Sequence, residues 1–263
     1  GTNPSGSFKD RASQLVAAQA LAMGEKKIVL ASTGNAGSAM ACAGAAYGLD
    51  IILFVPETAP VNKLMQSLIY GACVVPIKGS YDDAFALSIE YSDKFGGINR
   101  NTAYNPFTIE GKKSVSIELF EQLGRKIPDA IYIPVGDGVI LSGVYKGFSD
   151  LHRAGLISHI PKLICVQAEG SAAISNAFTT GVEKILQTAE TLADSISVAS
   201  PAAGRLAVAA LRNSMGWSTI VSDQDISDAQ LELAKQAGLF AEPAAAAAWA
   251  GVRADTEKIK KLL

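Results

Sequence analysis

Six short runs rich in apolar residues, chiefly Ile and Val, punctuate this chain, and between them the apolar positions switch to helical spacing. The runs are 27–31, 51–55, 73–77, 130–135, 163–167 and 219–222. None alternates strictly between apolar and polar residues, so each is expected to be covered on both faces. Strands that alternate with helices and are covered in this way belong to a mostly parallel sheet flanked by helices. The intervening helical stretches are 10–23, 36–47, 61–70, 82–95, 111–123, 140–154, 202–215 and 225–237. In the first, Ala12, Leu15, Val16, Gln19, Ala20 and Met23 recur at helical spacing. Gly24, Gly71, Gly96, Gly124, Gly155 and Gly238 stand at helix ends, where a left-handed residue closes the last turn. The alanine run 244–248, after Glu242-Pro243, reads as the tightly packed start of one more helix. The fold class is therefore α/β.

A chain of 263 residues, 49% hydrophobic and 18% charged, can bury a sizeable core. Its 23 Lys and Arg against 25 Asp and Glu leave a net charge of −2. No basic run exceeds Lys260-Lys261, so no nucleic-acid partner is expected. No uninterrupted apolar stretch reaches about 18 residues, so no membrane span is expected either. Cys42, Cys73 and Cys165 stand singly in apolar surroundings and read as small core side chains of a cytoplasmic protein. His152 and His159 belong to no cluster with metal-ligand spacing, so no metal site is assigned. Neither has a Ser or Cys partner in a nucleophile-elbow context, and both are expected at the surface. The chain opens on Gly1-Thr2-Asn3-Pro4, without an initiator Met or signal peptide, and further sequence upstream is expected.

Three turns hold residues suited to chemistry. In α/β sheets ligands sit beyond the carboxyl ends of strands, so strand-to-helix turns are the places to look. Ser32-Thr33-Gly34-Asn35 closes one strand and opens a small-residue helix. Its hydroxyls, amide and helix N–H groups suit a carboxylate or phosphate, and equally suit simple helix capping. Gly136-Asp137-Gly138-Val139-Ile140 follows another strand and offers a cradle of backbone N–H groups. A dinucleotide fingerprint would need glycine at Leu141, and no P-loop spacing is present. In Asn3-Pro4-Ser5-Gly6-Ser7-Phe8-Lys9-Asp10-Arg11 a lysine begins a helix, where the dipole disfavours its charge. A lysine so lowered can act as a nucleophile.

Together these turns resemble the threonine synthase family of pyridoxal-phosphate enzymes, whose wider group includes threonine and serine dehydratases and tryptophan synthase β. Further matches follow in order: Phe54-Val55-Pro56, Lys63 with Gln66, Tyr70-Gly71-Ala72, Asn105-Pro106 with Glu110-Gly111-Lys112, Lys146-Gly147-Phe148, Val166-Gln167 and Glu242-Pro243-Ala244. The resemblance spans nearly the whole chain. It implies the tryptophan synthase β-like fold, with a large lobe at 1–33 and 105–263 and a small mobile lobe at 34–104. The polar stretch 96–105 is loose enough to cross between them.

The resemblance also implies roles. Lys9 would be the lysine joined to pyridoxal phosphate, and afterwards the acid and base at the substrate. Phe8 would pack beside the cofactor ring and Asn35 would bond its 3-hydroxyl. Gly136, Asp137, Gly138, Val139 and Ile140 would hold its phosphate, and Ser32, Thr33, Gly34 and Asn35 the substrate carboxylate. The implied reaction is elimination or replacement at Cβ or Cγ of an amino acid, O-phosphohomoserine to threonine in a true threonine synthase. A homodimer is compatible with it. The alternatives are an ammonia-lyase or dehydratase of a hydroxy- or diamino-acid, and a catalytically silent fragment or paralogue.

Three departures carry expectations of their own. Strands before the lysine motif and a Thr-Gly-x-Gly stretch near the C-terminus are not visible, so a fragment is expected. Asp137 stands beside the expected phosphate, unfavourably unless it points away. Finally, Thr102-Ala103 and Thr108 stand where the family has Asn-Ser and an Arg that grip the substrate phosphate. O-phosphohomoserine is expected to be handled poorly, unless Arg100, Lys112 or Lys113 takes the place of that clamp.

Overall fold

A computed structural model describes residues 2–182 and 188–260. Gly1 and Lys261, named for the chain's opening and its basic pair, lie outside the described residues. The backbone divides into two compact units, Gly1–Lys112 and Lys113–Leu263.

The first unit runs α1 (Asp10–Met23), β1 (Lys27–Ala31), α2 (Asn35–Tyr47), β2 (Asp50–Pro56), α3 (Val61–Ile69), β3 (Cys73–Ile77), α4 (Tyr81–Phe95), β4 (Ile98–Asn99) and α5 (Phe107–Lys112). Its sheet is parallel, in the order β3-β2-β1-β4. Ile28, Leu30 and Leu53 face a core completed by Val16, Ala17 and Met40 of α1 and α2. Val29, Ala31 and Phe54 face the other way, toward Ala84 of α4. That two-sided burial is what continuous apolar strands require.

The second unit runs α6 (Ser114–Gln122), β5 (Ala130–Pro134), α7 (Val139–Arg153), β6 (Lys162–Ala168), α8 (Ala173–Thr180), α9 (Gly204–Asn213), β7 (Trp217–Val221), α10 (Asp223–Ala237), α11 (Pro243–Ala254) and α12 (Thr256–Lys260). Its sheet is parallel too, ordered β5-β6-β7. Leu163 and Cys165 of the central strand pack with α7 and α9, while Ile164 and Val166 pack with α10 and α11.

The structure corrects the sequence reading in several places. The helix expected over 111–123 is two helices, α5 and α6. Asn105 starts α5 early, because its side chain accepts the Phe107 N–H at 2.9 Å. Gly111 then lets α5 lie against α1, since a Cβ there would fall 2.2 Å from the Arg11 carbonyl oxygen. Cys73 is exposed rather than buried, because β3 is the sheet's edge strand; Cys42 is half-buried and Cys165 buried. His152 and His159 are both exposed. Among the described residues no helix is long and apolar enough to cross a membrane, and no three His, Cys, Asp or Glu could hold a metal ion.

Candidate active site

The lysine loop is held from three sides. A turn closes from the Gly6 N–H to the Asn3 carbonyl at 2.8 Å, with Gly6 at φ +79°. Buried Asp10 accepts the Ser5 N–H and the Ser5 hydroxyl on one carboxylate oxygen. The Gln66 side-chain amide of α3 donates to the Ser5 carbonyl at 3.1 Å. This accounts physically for Gln66, a residue the resemblance matched without a role. Lys9 itself is half-buried at the N-cap of α1, with helical backbone angles, and its N–H donates to the Ser7 hydroxyl. Phe8 is half-buried, with the Arg11 guanidinium 5.5 Å from its ring centroid.

The second turn lies at the carboxyl end of β1. Ser32 is buried, and its hydroxyl accepts the Gly37 N–H at 3.1 Å and the Gly34 N–H at 3.3 Å. It therefore shapes the start of α2, whose N-cap is Gly34 with no side-chain cap, rather than Ser32, Thr33 or Asn35 as the capping alternative expects. Gly34 is exposed, and Thr33 and Asn35 are half-buried around it.

Residues 99–101 run alongside. The Arg100 N–H donates to the Val29 carbonyl at 2.8 Å, and the Asn101 side-chain oxygen accepts the Ala31 N–H at 2.7 Å. Asn99 and Asn101 are tied by their amides to Ser88 of α4. Burial pushes the Arg100 guanidinium down to about 10, against a smaller opposing effect of Tyr81, and leaves it cationic at neutral pH.

In the second unit Gly136–Ile140 joins β5 to α7. Gly138 is the helix N-cap at φ +86°, with no side-chain cap, and Val139 and Ile140 begin α7. The Asp137 carboxylate accepts the Ala202 N–H at 2.6 Å, and its carbonyl accepts the Ala203 N–H at 3.1 Å. It is thus turned toward residues 202–203. Gln167, fully buried, donates from its amide to the Val135 carbonyl and accepts the Ser175 N–H, bracing the strand end before the turn. A half-buried lysine on a braced loop and an uncapped glycine turn at a helix start both suit a phosphorylated aldehyde.

Of the residues considered for a phosphate clamp, Thr108 is fully buried and donates its hydroxyl to the Asn105 carbonyl at 2.7 Å. Lys113 is held by Asp150 at 3.0 Å, and Lys112 is buried in α5. Ala103 sits at φ 65°, which turns the loop.

A family model described as "Pyridoxal-phosphate dependent enzyme" matches residues 1–262. The threonine synthase of Methanosarcina acetivorans is 37% identical over 258 residues, covering 96% of this chain and 63% of that protein. The threonine synthase of Halalkalibacterium halodurans is 38% identical over 255 residues, covering 96% and 69%. Among solved structures, the processed form of threonine deaminase isoform 2 from Solanum lycopersicum superposes with a TM-score of 0.84 at 26% identity, covering 97% of this chain and 68% of that one. The chain thus spans a little under two thirds of the archaeal relative's length.

Proposed function

Since the chain belongs to the pyridoxal-phosphate dependent enzyme family, we propose that it carries the machinery of a threonine-synthase-like lyase, acting at Cβ or Cγ of an amino acid. The observation that carries this reading is Lys9 at the head of α1, on a loop anchored by Asp10 and Gln66. When bound, the cofactor supplies an electron sink for negative charge developing on the substrate. Lys9 would hold it, and would take and return protons at the substrate carbons. Phe8 would pack beside the cofactor ring and the Asn35 amide would hydrogen-bond its 3-hydroxyl. Ser32, Thr33, Gly34 and Asn35 would bind the substrate carboxylate, while Gly136, Asp137, Gly138, Val139 and Ile140 would hold the cofactor phosphate, chiefly through backbone N–H groups. Asp137 contributes shape rather than charge, being turned to Ala202.

In this reading residues 34–104 form the small mobile lobe and 1–33 with 105–263 the large one. Hydrogen exchange slowed across 34–104 as one block on adding substrate supports that division. A cytoplasmic homodimer belongs to the same reading, and sedimentation tests the dimer.

One observation favours a second reading, a dehydratase or ammonia-lyase of an unphosphorylated amino acid. Thr108 commits its hydroxyl to Asn105, so no charged clamp stands at that position. An amino-acid panel decides between them. Phosphate released from O-phosphohomoserine supports the threonine-synthase reading; ammonia and keto acid from a hydroxy- or diamino-acid support the second. No visible absorbance on adding pyridoxal phosphate to this chain leaves a catalytically silent fragment or paralogue.

A further inference from the structure

Arg100 is 1% exposed, and only its Nη1 has an acceptor, the Thr102 hydroxyl at 3.0 Å. Its Nε and Nη2 are buried with no hydrogen-bond partner. Among the described residues no carboxylate pairs with it. A group favouring its charge is Tyr81, whose hydroxyl donates to the Ala31 carbonyl at 3.4 Å. A buried guanidinium without an anion is unfavourable, and each buried donor left unsatisfied in a folded protein calls for an explanation.

Its position is set by backbone bonds. Arg100 follows β4 directly and pairs with Val29, and its neighbour Asn101 bonds Ala31, the last residue of β1. Arg100 thus stands at the carboxyl edge of the sheet, where the Ser32–Asn35 turn also begins, and its side chain reaches Thr102. That edge is where parallel sheets receive ligands. A planar fork with two unused donor nitrogens and no acid beside it matches an oxyanion, and phosphate best of all.

We propose that Arg100 is a specificity-determining residue that receives the phosphate of a phosphorylated amino-acid substrate, with the Thr102 hydroxyl beside it. This rests on the reading of residues 32–35 as the seat of the substrate carboxylate. It replaces the absent clamp at Thr108 and reverses the expectation that a phosphorylated substrate is handled poorly.

Calorimetric titration of the full chain with inorganic phosphate, with and without saturating pyridoxal phosphate, tests it. Wild type is compared with Arg100→Met and Arg100→Lys. Arg100→Met is expected to weaken phosphate binding by about 10- to 100-fold. Its unfolding midpoint in phosphate-free buffer should stay level or rise, because an unpaired buried charge has gone. Arg100→Lys keeps the charge without the fork and should fall between the two. Phosphate bound at residues 136–140 is common to all three proteins and cancels. Equal phosphate affinity in wild type and Arg100→Met overturns the proposal, whatever the midpoint does. A loss that extends equally to glycine, whose only anionic group is its carboxylate, overturns it as well. If Arg100→Met does not fold, the Arg100 Nε–H resonance of the wild type, assigned with Arg100→Lys, must move on adding phosphate; an unmoved resonance is equally fatal. Failure of the cofactor reading shows separately, as no visible absorbance on adding pyridoxal phosphate, and leaves the phosphate titration intact.

Discussion

Asp10 clasps Ser5 with a single carboxylate oxygen, accepting its N–H at 2.9 Å and its hydroxyl at 2.8 Å. Lys9 lies between the two residues of this clasp, so the loop and the first turn of α1 are fixed to each other just where the lysine emerges. Asp10→Ala leaves both Ser5 donors without their acceptor, a loss of about 1–3 kcal/mol. It should lower the unfolding midpoint and weaken cofactor binding together. Asp10→Asn, which keeps an acceptor, should retain most of both. Absorbance-monitored cofactor titration is the check. Unchanged affinity in Asp10→Ala would show that the clasp does not position Lys9.

Lys9→Ala is expected to abolish the visible absorbance of the lysine-bound cofactor and to leave weak binding through residues 136–140. Borohydride reduction followed by peptide mapping locates the attachment. A reduced adduct on Lys63 or Lys146 would refute the assignment.

Elements with strong local chemistry were legible in the sequence. The bounds of α1 match the expected 10–23 because Gly24 closes it in the left-handed conformation. Helices α4 and α10 begin one or two residues before their apolar patterns, at capping boxes made by Ser80 with Asp83 and Ser222 with Asp225. What escaped has little local signal. Strand β4 is two residues long and exists through pairing with Ile28 and Val29. Helix α8 reads AISNAFTT, a short stretch of mainly small and polar residues. In the candidate site, the glycine turn was visible in the sequence, whereas the orientation of Asp137 depends on Ala202, 65 residues away. The burial of Arg100 likewise follows from its pairing with β1, which no spacing records.

Gly138 is constrained before any ligand arrives. It lies at φ +86°, and a Cβ there would stand 2.9 Å from the Ala203 carbonyl oxygen. Gly138→Ala should therefore lose roughly 1–3 kcal/mol of stability in the complete absence of cofactor. Urea unfolding of the cofactor-free chain measures it. A variant as stable as wild type would mean that the turn does not pack against residues 203–207 in this way.

Asp255 ties the end of α11 to the second sheet. One of its oxygens accepts Trp217 Nε1 at 2.6 Å, the Thr219 hydroxyl at 2.5 Å and the Tyr132 hydroxyl at 3.2 Å. The other accepts Lys258 Nζ at 2.9 Å. Burial by itself would raise the Asp255 pKa, but the bonds from Thr219, Trp217 and Lys258 outweigh it and hold the carboxyl below its ordinary value. A carboxyl whose pKa is lower folded than unfolded stabilises fully above the unfolded value, about 3.9, and progressively less as pH falls through the folded one. Asp255→Asn, whose amide resembles the protonated acid, should be the less stable protein at pH 7. That difference should shrink as the pH is taken from about 4 toward 2, where the wild-type carboxyl itself protonates. Other lowered carboxyls such as Asp150 and Asp225 weaken both proteins alike in acid, so the wild-type-minus-variant difference isolates Asp255. Urea midpoints at pH 7, 4 and 2.5 suffice, and a difference that stays constant across them would show that the charge on Asp255 adds nothing to the bonds it accepts.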